Sequence, residues 1–323
     1  MQTTNPLRNG ALASWRPQTD SVTIREPLMP APGHWVGAPS VLHTADGEFL
    51  MSFRYRRPRG QGRGYEARIA RSVDGVTFED IWSVHQQALE TSSVERFALA
   101  QSPHGYLLYL SYVDPKDQRW RVDVVAAERP DQFDVSRRVP VFTAQDIGME
   151  AVKDPVVVFA QGLYWMYVSC ASRAPDAATD THQELHVSED VYTTGRVLSE
   201  TGLAVSRDGI HYDWLGLVLS PTPGAWDAYA ARVSSLLVTP DGVLALYDGG
   251  ASVDENYEEK SGLALVAGWD RLTKLSRGGP WWTTPHGSHS LRYVAAIRVD
   301  QRPWLYYEAA RPDGAHEIRL SVL

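Results

Sequence analysis

The feature that most constrains this chain is a unit of strand, tight turn and strand that returns five times. Its clearest copy runs Val152-Lys153-Asp154-Pro155-Val156-Val157-Val158-Phe159, turns at Ala160-Gln161-Gly162, and continues as Leu163-Tyr164-Trp165-Met166-Tyr167-Val168. Each apolar run is too short for a globular helix and is rich in β-branched and aromatic residues, which fit a pleated, half-buried surface. Counted from Gly37, Val94, Val152, Ala231 and Leu291, the copies step by 57, 58, 79 and 60 residues. Several turns carry an Asp-Gly pair, at Asp46-Gly47, Asp74-Gly75, Asp208-Gly209 and Asp241-Gly242, because glycine accepts the positive φ that such turns need. Five paragraphs of strands with no convincing helix predict an all-β fold, a five-bladed β-propeller of four-stranded antiparallel blades.

The spacing divides residues 1–323, as one propeller, into blades at about 35–90, 91–145, 146–220, 225–280 and 285–323. The last paragraph has only three strands, so the alternating patch Ser21-Val22-Thr23-Ile24-Arg25, within 19–27, is a candidate for its outer strand. The long third step must hold an insertion, roughly Ala171 to Glu200, with no clear period. An insertion of that length in a compact repeat is expected to be a binding loop or lid.

Composition narrows the partners. With 43% hydrophobic and 22% charged residues the chain can build a core, and a net charge of -8 without a basic block argues against nucleic acid. No run of 18 apolar residues and no basic, then apolar, leader is present, so a soluble cytoplasmic protein away from membranes is expected. The single Cys170 rules out an intrachain disulfide and a cysteine-based zinc site, and reads as a small buried residue.

In a propeller the first strand of each blade lines the central channel, so residues near its start converge on one mouth. Here these are Ala38, Glu95, Asp154, Arg232 and Arg292, with Lys153 and Arg96 beside them. Acids and bases gathered on one axis must pair with each other or with a ligand. Trp35, Tyr65, Tyr229, Tyr257 and Tyr293, with His286 and His289, are predicted near the same rim. Aromatics beside carboxylates suit a sugar, which offers an apolar face for stacking and a rim of hydroxyls. The two histidines, three apart in a loop, read as ordinary hydrogen-bonding groups, and neither a metal nor a cofactor is expected.

The segments Lys153-Asp154-Pro155, Ala70-Arg71-Ser72-Val73-Asp74-Gly75, Ala225-Trp226-Asp227, Tyr247-Asp248-Gly249-Gly250 and Tyr306-Tyr307-Glu308-Ala309-Ala310 resemble, in their shared order, the five-bladed glycosidases of glycoside hydrolase families 32, 43, 117 and 130. Family 130, the mannoside phosphorylases and hydrolases, is nearest. The resemblance implies a carbohydrate substrate, with inorganic phosphate as co-substrate in the phosphorylase case. The sequence departs from it at three places. Ala38 stands where families 32 and 43 open blade one with an aspartate, Arg232 where family 43 has its acid, and Glu95 where family 130 has its donor aspartate.

What remains is cleavage with inversion, in which one carboxylic acid protonates the leaving oxygen while water or phosphate attacks from the opposite face. Glu95 and Asp154 are the expected catalytic carboxyls, with Glu255 as an alternative base for hydrolysis. Trp35, Tyr65, Lys153, Asp227, Arg232, Glu255, Tyr257, His289 and Arg292 are the expected substrate contacts, of which Lys153, Arg232, His289 and Arg292 could hold phosphate. The other readings are a propeller that binds a carbohydrate or another small polar ligand without cleaving it, and one that performs non-glycosidic chemistry.

Overall fold

Tight turns fold the apolar runs back on one another. At Gln161-Gly162 both turn residues take positive φ, 56° and 78°, and at Asp300-Gln301 two non-glycine residues do the same, 47° and 67°. Two successive left-handed residues give the hairpin turn whose twist matches that of its strands. The computed structural model describes residues 21–239 and 242–323, so Asp241 of the fourth Asp-Gly pair, and residues 19 and 20 of the closing stretch, lie outside the described residues.

The first described strand, β1 (Val22–Arg25), pairs with the last, as set out below. Blade I holds β2 (Trp35–His43), β3 (Phe49–Arg56), β4 (Gly64–Ser72) and β5 (Glu79–His85), and blade II holds β6 (Ala98–Ser102), β7 (Gly105–Val113), β8 (Trp120–Ala127) and β9 (Val139–Phe142). Blade III is β10 (Ala151–Ala160), β11 (Leu163–Arg173), β12 (Val197–Ser206) and β13 (Tyr212–Leu219). Blade IV is β14 (Ala230–Thr239), β15 (Gly242–Gly250), β16 (Lys260–Gly268) and β17 (Arg271–Lys274). Blade V is β18 (Leu291–Val299), β19 (Arg302–Ala310) and β20 (His316–Val322), with β1 antiparallel on β20 as its outer strand.

Apolar side chains fill the space between neighbouring blades. Leu50 and Ile69 of blade I pack with Leu108 and Val125 of blade II, and Val36 and Phe53 of blade I meet Tyr306 and Ile318 of blade V, so the last blade seals against the first. Cys170 is free and fully buried in the cluster between blades II and III.

The inner strands β2, β10, β14 and β18 each break register once, between Gly37 and Ser40, Lys153 and Val156, Val233 and Ser235, and Arg292 and Ala295. These bulges turn the chain and re-aim side chains. Three of them place a non-glycine residue in the left-handed region, Ala38 (φ 53°), Asp154 (54°) and Tyr293 (51°). Pro39 and Pro155 follow the first two, at positions where a missing N–H costs the ladder little.

The insertion is shorter than expected, lying between Arg173 and Val197. It contains α1 (His182–His186), whose N-cap Thr181 forms a reciprocal capping box with Glu184. Although no period marks it in sequence, Leu185, Val191 and Tyr192 are fully buried against Val113, Trp120, Ala151 and Val197. The segment therefore adds a core of its own as well as covering the axis. Leu185→Ala should cost about 2–5 kcal/mol as a buried large-to-small change. Urea denaturation measures it, and a loss near zero would mean that the insertion is not packed into the fold.

Candidate active site

Antiparallel pairing brings the start of each inner strand opposite the end of its neighbour, and this builds one polar layer on the axis. The pairs are Gly37 with Arg54, Lys153 with Ser169, Arg232 with Asp248 and Arg292 with Glu308. In blade II, Glu95 donates its backbone N–H to the Ser111 carbonyl at 2.9 Å and takes the same place. The residue that follows, Ala38, Asp154 or Tyr293 on a bulge and Arg96 before β6, lies next to this layer.

The charges of the layer are linked from blade to blade. Glu308, fully buried, accepts from Arg292 Nε (3.0 Å) and Nη2 (2.8 Å), faces His316 Nδ1 at 2.8 Å, and accepts the Ala38 N–H at 3.0 Å. Its space exists because Gly37 has no side chain, since a Cβ there would lie 1.7 Å from Glu308 Oε2. Glu259 bridges Arg232 and Arg292, the latter at 2.7 Å. Arg54 donates through Nε to Glu95, whose other oxygen lies 4.0 Å from the Lys153 ammonium. Lys153 is 3.5 Å from Asp154, which accepts from the Tyr293 hydroxyl (3.3 Å) and the Arg96 backbone N–H (3.4 Å). Asp248 accepts the Tyr293 backbone N–H at 3.0 Å.

The acids of this layer differ in character. Burial works to raise Glu95 and Glu308, but Arg54 and Lys153 around the first, and Arg292, Arg54 and His316 around the second, outweigh it and hold both below the usual carboxylate range. At Asp248 burial wins over Arg232 and Arg96, and the carboxyl is pushed up to about 6. Burial and then Asp154 push the Tyr293 phenol well up, so it remains a donor at neutral pH.

The insertion reaches this layer. Tyr192 of the insertion is buried with its ring 4.8 Å from Lys153 Nζ. Asp190 receives Trp120 Nε1 at 3.2 Å, Arg63 at 3.1 Å and the Tyr257 hydroxyl, which joins the insertion to the loops of blades I and IV. Tyr257 takes φ 83°, a strained backbone for an aromatic residue, and its ring covers Arg56 at 3.8 Å.

Seven of the expected residues meet here: Glu95, Asp154, Lys153, Arg232, Arg292, Trp35 and Tyr257. Trp35 stacks on His316 at 4.1 Å and lies against Arg56 and Arg292. Four others do not meet them. Tyr65 lies within blade I against Tyr55, His85 and Arg57, because β4 is the third strand of its blade and β2 and β3 stand between it and the axis. Asp227 is buried beneath blade IV, paired with Lys274 at 2.6 Å and Tyr247, and its charge is spent on packing that blade. Glu255 pairs with Lys260 at 3.0 Å, and His289 faces the Thr284 carbonyl at 3.0 Å. Those two line, with Trp226, a separate apolar cavity of about 350 Å³. The expected entrance positions also fall in two registers, Ala38 and Asp154 on bulges and Glu95, Arg232 and Arg292 one residue earlier.

Arg54, Arg56, Asp190, Tyr192, Glu259 and His316 lie outside the contacts expected from sequence, and Asp248 and Glu308 appear there only within motifs. A sequence signal exists for three of them. The second strand of each blade reads five mostly apolar residues and then one polar residue: Phe49 to Phe53 then Arg54, Tyr106 to Leu110 then Ser111, Tyr164 to Val168 then Ser169, Val243 to Tyr247 then Asp248, and Pro303 to Tyr307 then Glu308. No comparable signal marks Asp190 or Glu259, which lie in irregular loops.

No protein-family model and no curated protein matches the sequence. Solved structures do resemble the fold. A glycosyl hydrolase from Bacteroides ovatus superposes with a TM-score of 0.64 at 14% identity, over 95% of this chain and 92% of that one. A β-1,2-mannobiose phosphorylase from Listeria innocua, solved with β-1,2-mannobiose, gives 0.58 at 15% identity over 92% of each chain. A GH43_1 enzyme from Xanthomonas citri gives 0.59 at 12% identity, over 93% of this chain and 90% of that one. The fold of this chain is that of the propeller glycoside hydrolases of the family 32, 43 and 130 types.

Proposed function

We propose that the chain is a glycoside hydrolase that cleaves a glycosidic bond with inversion at the axial mouth, using Asp248 as acid and Asp154 as base. One observation carries this reading. Tyr293 stands between two carboxyls, Asp248 at its backbone N–H and Asp154 at its hydroxyl, and burial pushes Asp248 up to about 6. An acid catalyst must keep its proton near neutral pH, and Asp248 does so better than Glu95. An inverting pair needs room between its carboxyls, roughly 6.5–9.5 Å, to admit a water, and Tyr293 stands between Asp248 and Asp154. Asp248 gives its proton to the leaving oxygen, and Asp154 takes one from the attacking water on the opposite face. Trp35 and Tyr257 supply the aromatic walls, while Glu95 serves the charge ring through Arg54 and Lys153.

A second reading, phosphorolysis, is favoured by the cations of the layer, Arg54, Lys153, Arg232 and Arg292, which could hold phosphate as nucleophile. Turnover of a panel of aryl glycosides and mannobioses, with and without phosphate, separates the two. The anomer released, followed by NMR, tests inversion, and a product that keeps the substrate's anomeric configuration would falsify it.

Asp248→Asn and Asp154→Asn should each lower turnover by about two to four orders of magnitude, as for loss of a general acid or base. The melting temperature of Asp248→Asn should hold or rise, because burial disfavours that charge. Unchanged turnover in both variants would remove these two acids from the chemistry, and sugar binding without turnover in the unaltered chain would leave a propeller that binds without cleaving. Because the acid works protonated, kcat/KM should fall as pH rises through about 6. A profile flat from pH 5 to 8 counts against Asp248. Glu95→Gln, by contrast, leaves Arg54 short of its partner and should destabilise by roughly 3–5 kcal/mol in denaturant titration. Full stability with lost turnover would return Glu95 to the chemistry.

A further inference from the structure

We propose that the axial site receives a ligand carrying its own carboxylate, an acidic sugar residue, and that Arg56 with Arg54 is the pair that grips it. That the ligand is a sugar rests on the glycoside-processing reading above. The preference for an anion is argued from the guanidiniums alone.

Arg56 closes β3 and is 5% exposed, yet among the described residues no carboxylate lies within 4 Å of it and its buried Nη1 has no hydrogen-bond partner. Two aromatic rings hold it, Tyr257 at 3.8 Å and Trp35 at 4.5 Å. Stacked rings fix the plane of a guanidinium but satisfy none of its N–H groups, and its edge is the part that binds a carboxylate in bidentate fashion. Two residues back on the same face of β3, Arg54 is fully buried, and neither its Nη1 nor its Nη2 has a hydrogen-bond partner. All the other cations of the ring except Arg96 have an acid within 4 Å. An unpaired buried cation is costly, and Arg56 stands unpaired beside the acids and aromatics of the axial layer, where an anion arriving with the ligand would pair it.

Position argues for a carboxylate on the sugar rather than for free phosphate. Arg56 lies two residues from Arg54 along β3, about 7 Å at the rise of a strand, on the lid side of the layer that holds Glu95 and Asp154. A nucleophilic phosphate must reach the anomeric carbon beside the acids. A carboxylate at Arg56 is held at the end of β3, beyond Arg54.

The test is titration calorimetry on the full chain with galacturonate, glucuronate and mannuronate, with galactose, glucose and mannose, and with inorganic phosphate. At least one uronate should bind ten-fold or more tightly than its neutral parent, and Arg56→Gln should bring that ratio close to one. Should Arg56→Gln not fold, Arg56→Lys carries the test, since a lysine keeps the charge but not the bidentate grip and the ratio should fall at least three-fold. Equal binding of acidic and neutral sugars, or a preference that survives either variant, overturns the anion site while leaving the glycoside reading standing. Arg56-dependent binding of phosphate without uronate binding overturns it in favour of a free anion. Binding of no sugar at all overturns both.

Discussion

The carboxylate of Glu308 is the contact on which the ring most depends. It stands on blade V, accepts from Arg292 of its own blade, and reaches across to the Ala38 N–H and the Arg54 side of blade I. A propeller is open until its last blade meets its first, and here that joint is polar at the axis and apolar farther out. The polar part is possible only because Gly37 leaves room for it. Replacing Gly37 by any side chain would displace the carboxylate that ties Arg292, Arg54 and His316.

A cost accompanies this arrangement. Left-handed backbone at Ala38, Asp154, Tyr293 and Tyr257, together with a buried layer of acids and bases, is less stable than regular strands and an apolar core would be. Strain and buried charge of this kind gather at functional sites, where the surrounding structure over-determines them. The blades supply that rigidity. Inter-blade clusters of Leu, Ile, Val and aromatic residues hold each inner strand from both sides, so the bulges cannot relax without opening a seam.

The insertion links site and fold through Asp190. That single buried carboxylate meets Trp120 of blade II, Arg63 of the blade I loop and Tyr257 of the blade IV loop. Arg63 and Lys153 keep it charged against the pull of burial, which makes it a firm latch at neutral pH. Burial of the layer beneath the insertion strengthens each electrostatic contact within it.

Much of this was legible in the sequence, for reasons of period and turn chemistry. Alternating apolar runs and glycine turns can bury their apolar faces only as stacked hairpins, so five near-even steps already determine strands, blades and which strand ends face the axis. Lys153, Asp154, Arg232 and Arg292 follow directly, being polar residues at the heads of apolar runs. Tertiary structure alone decided the rest. A one-residue bulge separates Asp154 from the register of Glu95, and no local signal marks it. Arg54, Asp248 and Glu308 enter the layer because antiparallel pairing sets the tail of one strand against the head of another, a relation between residues 16 or 17 apart in chain order. Asp227 and Glu255 look the part in sequence, but their charges are taken by Lys274 and Lys260. Which acid keeps its proton is likewise a property of the assembled ring, because burial and the distance to each guanidinium exist only after five blades have closed.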